Sequence, residues 1–74
     1  MKVKVNLRSI LSLNRFEEAD VTLPAGATLR DLLTKVEVSV EEVSVAVVNG
    51  KSGSYNQVLA EGDQISLLPF ISGG

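Results

Sequence analysis

The chain contains no cysteine and no histidine. Without cysteine there is no disulfide, no iron-sulfur cluster and no thiolate metal site. Without histidine the commonest general base and the commonest metal ligand are both missing. Tryptophan is absent, and Phe16, Tyr55 and Phe70 are the aromatic residues. No apolar run approaches the roughly 20 residues that a transmembrane helix needs. Met1-Lys2-Val3-Lys4 leads into an alternating segment rather than a signal-peptide core. The net charge is −2, with no basic cluster. Binding to nucleic acid or to an anionic membrane through bulk charge is therefore not expected. The lack of disulfides fits a cytoplasmic location.

What is present is one small domain of 74 residues, 45% of them hydrophobic, dominated by Val and Leu. A chain of this size buries only about 60% of the surface it exposes when unfolded, so its core must be compact. Lys2 to Arg8 alternates polar and apolar, which predicts a half-buried strand with Val3, Val5 and Leu7 inward. Ser9 to Arg15 has no clean period, although Ile10, Leu11 and Leu13 can cover a core edge. Glu17 to Leu23 reads as a second strand with Ala19, Val21 and Leu23 on one face, stopped by Pro24-Ala25-Gly26.

The helix signal is the clearest. Thr28 is a good N-cap and Asp31 completes a capping-box spacing. Leu29, Leu32, Leu33 and Val36 then follow i, i+3, i+4, i+7 as one apolar stripe, fading near Val38. Ser39 and Glu42 repeat the capping spacing around one short helical turn. Ser44 to Val48 is apolar and β-branched, which predicts a central strand closed by the Asn49-Gly50 turn. Lys51 to Asn56 reads as a loop. Ala60 to Asp63 reads as a turn, and Gln64 to Leu68 as the last strand with Ile65 and Leu67 inward. The expected class is α+β: a mixed sheet of four to five strands with one main helix on one face. The opposite face, near Ala46, Val48, Leu68 and Phe70, is expected to stay partly uncovered.

The segment after the last strand is unusual. Pro69-Phe70-Ile71-Ser72-Gly73-Gly74 is apolar, carries no charge and ends in two glycines. Glycine has no Cβ, so a carboxylate on Gly74 is open on both sides and the backbone can thread a narrow channel. A terminal carboxylate can become an acyl-adenylate, a thioester, a thiocarboxylate or an amide. The reading takes residues 1–74 as a single domain with a flexible tail over 69–74, long enough to reach roughly 20 Å.

Four stretches together carry a resemblance. They are Leu23-Pro24-Ala25-Gly26-Ala27-Thr28-Leu29-Arg30-Asp31-Leu32-Leu33, Val45-Ala46-Val47-Val48-Asn49-Gly50, Glu61-Gly62-Asp63-Gln64-Ile65 and Leu68-Pro69-Phe70-Ile71-Ser72-Gly73-Gly74. In this order they resemble the β-grasp of ubiquitin-like sulfur carriers. The likeness is nearest the small subunit of molybdopterin synthase and next the thiamine-pathway carrier. The segment Ser9 to Arg15 is short where the molybdopterin subfamily often has a helical excursion. Pro69-Phe70 stands where that subfamily often has two prolines.

The resemblance implies that a ubiquitin-activating-type enzyme uses ATP to adenylate the Gly74 carboxylate. Sulfur then replaces the adenylate, and the thiocarboxylate serves the large subunit of molybdopterin synthase. It implies no cofactor and no metal on this chain and no catalytic side chain of its own. With Gly74 already terminal, no protease step is expected. Gly73 and Ser72 would thread the partner's channel. Leu68, Pro69, Phe70 and Ile71, with Ala46 and Val48, would bind partners. Two alternatives share the activation step. One is a thiamine-pathway or other sulfur carrier, and the other is a modifier joined to proteins through Gly74.

Overall fold

The computed structural model describes residues 1–70. Five strands and one helix follow the chain: β1 (Lys2–Leu7), β2 (Glu18–Thr22), α1 (Leu29–Lys35), β3 (Val43–Val48), β4 (Lys51–Ser52) and β5 (Gln64–Pro69). Single 3-10 turns occupy Ser9–Ser12 and Val40–Glu42. The sheet order is β2-β1-β5-β3-β4. β1 is antiparallel to β2 and parallel to β5, and β3 is antiparallel to both β5 and β4. This is the β-grasp architecture, a mixed sheet gripping one helix.

The helix starts where its cap is written. The Thr28 hydroxyl accepts from the Asp31 N–H at 3.3 Å, and the Asp31 carboxylate accepts from the Thr28 N–H at 2.9 Å. Two of the four orphan donors at the helix start are thereby satisfied. Leu29, Leu32 and Leu33 are buried against the sheet. Full burial of each contributes about 1.5–3 kcal/mol. The helix ends by geometry rather than by fading. Glu37 takes φ +59°, its N–H donates to the Thr34 carbonyl, and the Val38 N–H donates to the Leu33 carbonyl at 2.9 Å. That pair of bonds is a Schellman closure with a glutamate where glycine is favoured. The buried Val38 supplies its hydrophobic contact.

Alternation works as expected in β1 and β5. Val3, Val5, Leu7, Ile65 and Leu67 face the helix and are buried. Leu11, from the irregular stretch after β1, closes one end of the core. The turn Val40–Glu42 carries the Ser39/Glu42 capping box.

Three expectations need correction. Lys51 and Ser52 are not loop but the return strand β4 of a two-residue hairpin. Asn49 and Gly50 have φ +51° and +86°, so the turn is of the primed type whose twist matches its strands. Ala46 and Val48 do not lie on the open face. Both are buried under the helix, and Val45 and Val47 take the open side. An all-apolar run carries no alternation to set the phase, and here the register between Val43 and Val45 is shifted by a bulge. Finally, Pro69 does not begin a tail. It closes β5, paired with Val43. A proline needs no N–H at the last rung beside a bulge.

Candidate functional site

The C-terminal end of β5 brings together most of the described residues expected to act. Leu67 and Leu68 sit on opposite faces. Leu67 is buried, whereas Leu68 is half-buried beside Val45 on the open face, with Ser66 beside Val47 one rung away. The open face is therefore apolar at its centre, on β3 and β5. It is charged on β1 and β2, where Lys4 lies 3.7 Å from Glu18.

Past the last rung, Pro69 is half-buried and Phe70 is 60% exposed. The two line a cleft of about 250 Å³ together with Ile10, Leu11, Glu41 and Glu42. Its walls are the two 3-10 turns, at Ser9–Ser12 and Val40–Glu42. Ile10 is as exposed as Phe70, so the cleft has an apolar lip and an acidic rim.

One side chain ties the walls together. Arg15 donates through Nη1 to the Leu11 carbonyl at 3.1 Å, and through Nη2 to the Glu37 carbonyl and to both Glu42 carboxylate oxygens, each at 3.2 Å. Glu42 also accepts from the Ser39 N–H at 2.8 Å. That backbone bond first, and the Arg15 guanidinium second, hold the Glu42 carboxyl below its ordinary value. The sequence reading missed this link, because partners 27 positions apart leave no local signal. It also had Ile10 and Leu13 able to cover a core edge together with Leu11. Both prove exposed while Leu11 between them is buried.

Of the residues singled out from sequence, the site holds Leu68, Pro69 and Phe70. Ala46 and Val48 are not at it, being under the helix. Ile71, Ser72, Gly73 and Gly74 lie outside the described residues. Among the described residues no polar side chain is buried, and no group of three or more acidic residues is placed to hold a metal ion. No helix of the described chain is long and apolar enough to cross a membrane. The described residues present an exposed apolar surface at the C-terminal end of β5.

The model of the ThiS family matches residues 3–74, nearly the whole sequence. The chain belongs to the ThiS family. Solved structures agree with the fold. The putative molybdopterin converting factor subunit 1 of Pyrococcus furiosus is 27% identical, with 96% of this chain and 99% of that one covered at a TM-score of 0.81. SAMP1 of Haloferax volcanii is 20% identical over the full length of both chains, also at 0.81. The complex of subunits 1 and 2 of the molybdopterin-converting factor of Helicobacter pylori gives 24% identity, full coverage of both chains and a TM-score of 0.70. No curated protein matches. As a ThiS-family member the chain is a ubiquitin-like protein of the sulfur-carrier type.

Proposed function

We propose that this ThiS-family chain carries sulfur for molybdopterin synthesis as a thiocarboxylate on Gly74. The observation that carries the reading is the 27% identity to a putative molybdopterin converting factor subunit 1 across 96% of the chain. The exposed apolar end of β5 supports it, since Leu68 and Phe70 offer anchors of the kind that dominate interface energy.

In this reading the Gly74 carboxylate attacks the α-phosphorus of ATP on a ubiquitin-activating-type partner, and pyrophosphate leaves. A sulfide sulfur then attacks the acyl carbon and AMP leaves, giving the thiocarboxylate directly; a persulfide sulfur gives an acyl disulfide instead, which a second thiol cleaves to the thiocarboxylate as the two thiol sulfurs form a disulfide. The large subunit of the synthase receives this end and the open sheet face beside it. The similar Helicobacter pylori structure is a complex of subunits 1 and 2 of the molybdopterin-converting factor, which makes such a partner a natural one to test. Glycine at the last two positions keeps the reacting carboxylate free of side chains on both flanks.

The test is mass spectrometry of the chain purified from its own cells, followed by sulfur transfer to the pterin precursor with the large subunit. The reading expects a species heavier by the difference between sulfur and oxygen. High-mass conjugates through Gly74 would instead make the chain a protein modifier. A thiocarboxylate that transfers sulfur only in the thiamine pathway would move the chain to that branch.

A further inference from the structure

β2 forms one edge of the sheet, and its register with β1 fixes which way its main chain points. The Leu23 N–H donates to the Met1 carbonyl at 2.8 Å, and the Leu7 N–H donates to the Glu17 carbonyl at 2.9 Å. In an antiparallel ladder that phase turns Glu17, Ala19, Val21 and Leu23 toward β1. Glu18, Asp20 and Thr22 therefore present their N–H and C=O groups outward. No other bond among the described residues uses them.

Beside this edge runs a groove of about 600 Å³ between β2 and the C-terminal end of α1. Val21, Phe16 and Val36 give it an apolar floor, and Asp20, Thr22 and Lys35 stand at its rim. Phe16 and Val36 are only partly buried although they pack against the core. The two features adjoin: a row of main-chain groups without partners among the described residues, and a trough with an apolar floor.

We propose that the β2 edge and this groove take up an extended segment of a partner protein in which Lys or Arg alternates with Val or Ile, adding a sixth strand to the sheet. Residues opposite Ala19 and Val21 share their face and drop over Phe16 and Val36, so they must be apolar. Residues opposite Glu18 and Asp20 share the open face with two exposed carboxylates, so a cation is favoured there. The other edge of β2 already holds a strand of this pattern. In β1, Val3 and Val5 lie opposite Val21 and Ala19, and Lys4 lies opposite Asp20 and reaches Glu18. A second copy of β2 is a poor occupant. An antiparallel pair centred on Asp20 sets that carboxylate against itself, and like charges directly opposite repel. The far edge, β4, is two residues long and offers no comparable row. The inference does not depend on the chemistry at Gly74.

The test is titration of the full ¹⁵N-labelled chain with a blocked hexapeptide Lys-Val-Lys-Val-Lys-Val. The expected result is amide shift changes at Phe16, Asp20, Thr22 and Val36, with slowed hydrogen exchange at Asp20 and Thr22. Glu-Val-Glu-Val-Glu-Val and Lys-Lys-Lys-Val-Val-Val should bind at least tenfold more weakly, because the first inverts the charge and the second lacks the alternation. Asp20→Pro removes one outward N–H without touching the bonds to β1, and should weaken the Lys-Val peptide at least tenfold. Asp20→Lys should move the preference toward the Glu-Val peptide, and it decides the matter if the proline variant melts early. Equal binding of the three peptides, shifts confined to β4 or to the open face, or unchanged exchange at Asp20 and Thr22 would each overturn the proposal.

Discussion

The two faces of β5 show how one alternating strand serves two purposes. Ile65 and Leu67 point at the helix and are fully buried, while Ser66 and Leu68 point away and are half-exposed. The first face closes against Leu29, Leu32 and Leu33 and sets stability. The second carries an apolar strip that no element among the described residues covers, and it runs to Phe70 at the root of the C-terminal segment. The fold keeps what holds it together separate from what it leaves exposed.

The sharpest way to break this separation is at Gly74. In the proposed function, deleting Gly74 should abolish ATP–pyrophosphate exchange with a ubiquitin-activating-type enzyme and leave the thermal melt unchanged, because even about 1 Å of misplacement costs catalytic alignment. Full exchange from a normally melting deletion would remove the functional half of the comparison. Next is Leu33→Ala on the covered face. Truncating a fully buried leucine costs about 2–5 kcal/mol, readable as a large drop in the midpoint of urea unfolding. On the exposed side, Phe70→Ala should change stability by no more than about 0.5 kcal/mol. In a titration calorimeter it should weaken large-subunit binding about tenfold, or about 1.4 kcal/mol. If Phe70→Ala unfolds the domain as readily as Leu33→Ala, the two faces are not separate.

Smaller effects sharpen the boundary. Glu37→Gly relieves a left-handed residue at the helix end and should stabilise the domain by about 0.5–1 kcal/mol in urea unfolding. The link between Arg15 and Glu42 gives the smallest effect. Since the folded Glu42 carboxyl is held below its ordinary value of 4.5, its contribution is present above that value. It is lost as the pH falls through the lowered one. Glu42→Gln should therefore flatten the acid limb of the stability curve slightly and leave neutral pH nearly untouched. Comparing melts of the two proteins between acidic and neutral buffer checks it.

The covered face was legible in the sequence because its signals are local. Thr28 with Asp31 marks the helix start, the leucine stripe marks its buried side, and Asn49-Gly50 marks the turn that ends β3. The strand phases of β1 and β5 were legible because polar residues interrupt the apolar ones. β3 was not, since Val45-Ala46-Val47-Val48 is apolar at every position and only its pairing with β5 decides what faces the helix. The cleft under Phe70 was invisible for a different reason. It is assembled by two 3-10 turns and an arginine whose partners lie far along the chain.

β5 lies at the centre of the sheet, yet it is the last of the described strands to be synthesised. Lys4 pairs with Gln64 and Leu7 with Leu67, so strands from opposite ends of the sequence meet side by side and in parallel. A nascent chain that lacks β5 has β1 and β3 exposing valines with nothing between them. Such non-local pairing forms slowly and late. The sheet therefore cannot close until β5 has emerged from the ribosome. A chain truncated ahead of Gln64 would be a candidate for aggregation and proteolysis rather than a carrier that merely lacks its end. Quality control of the fold and presence of the C-terminal segment are thus coupled by topology: a molecule that has folded has already been translated to within a few residues of Gly74.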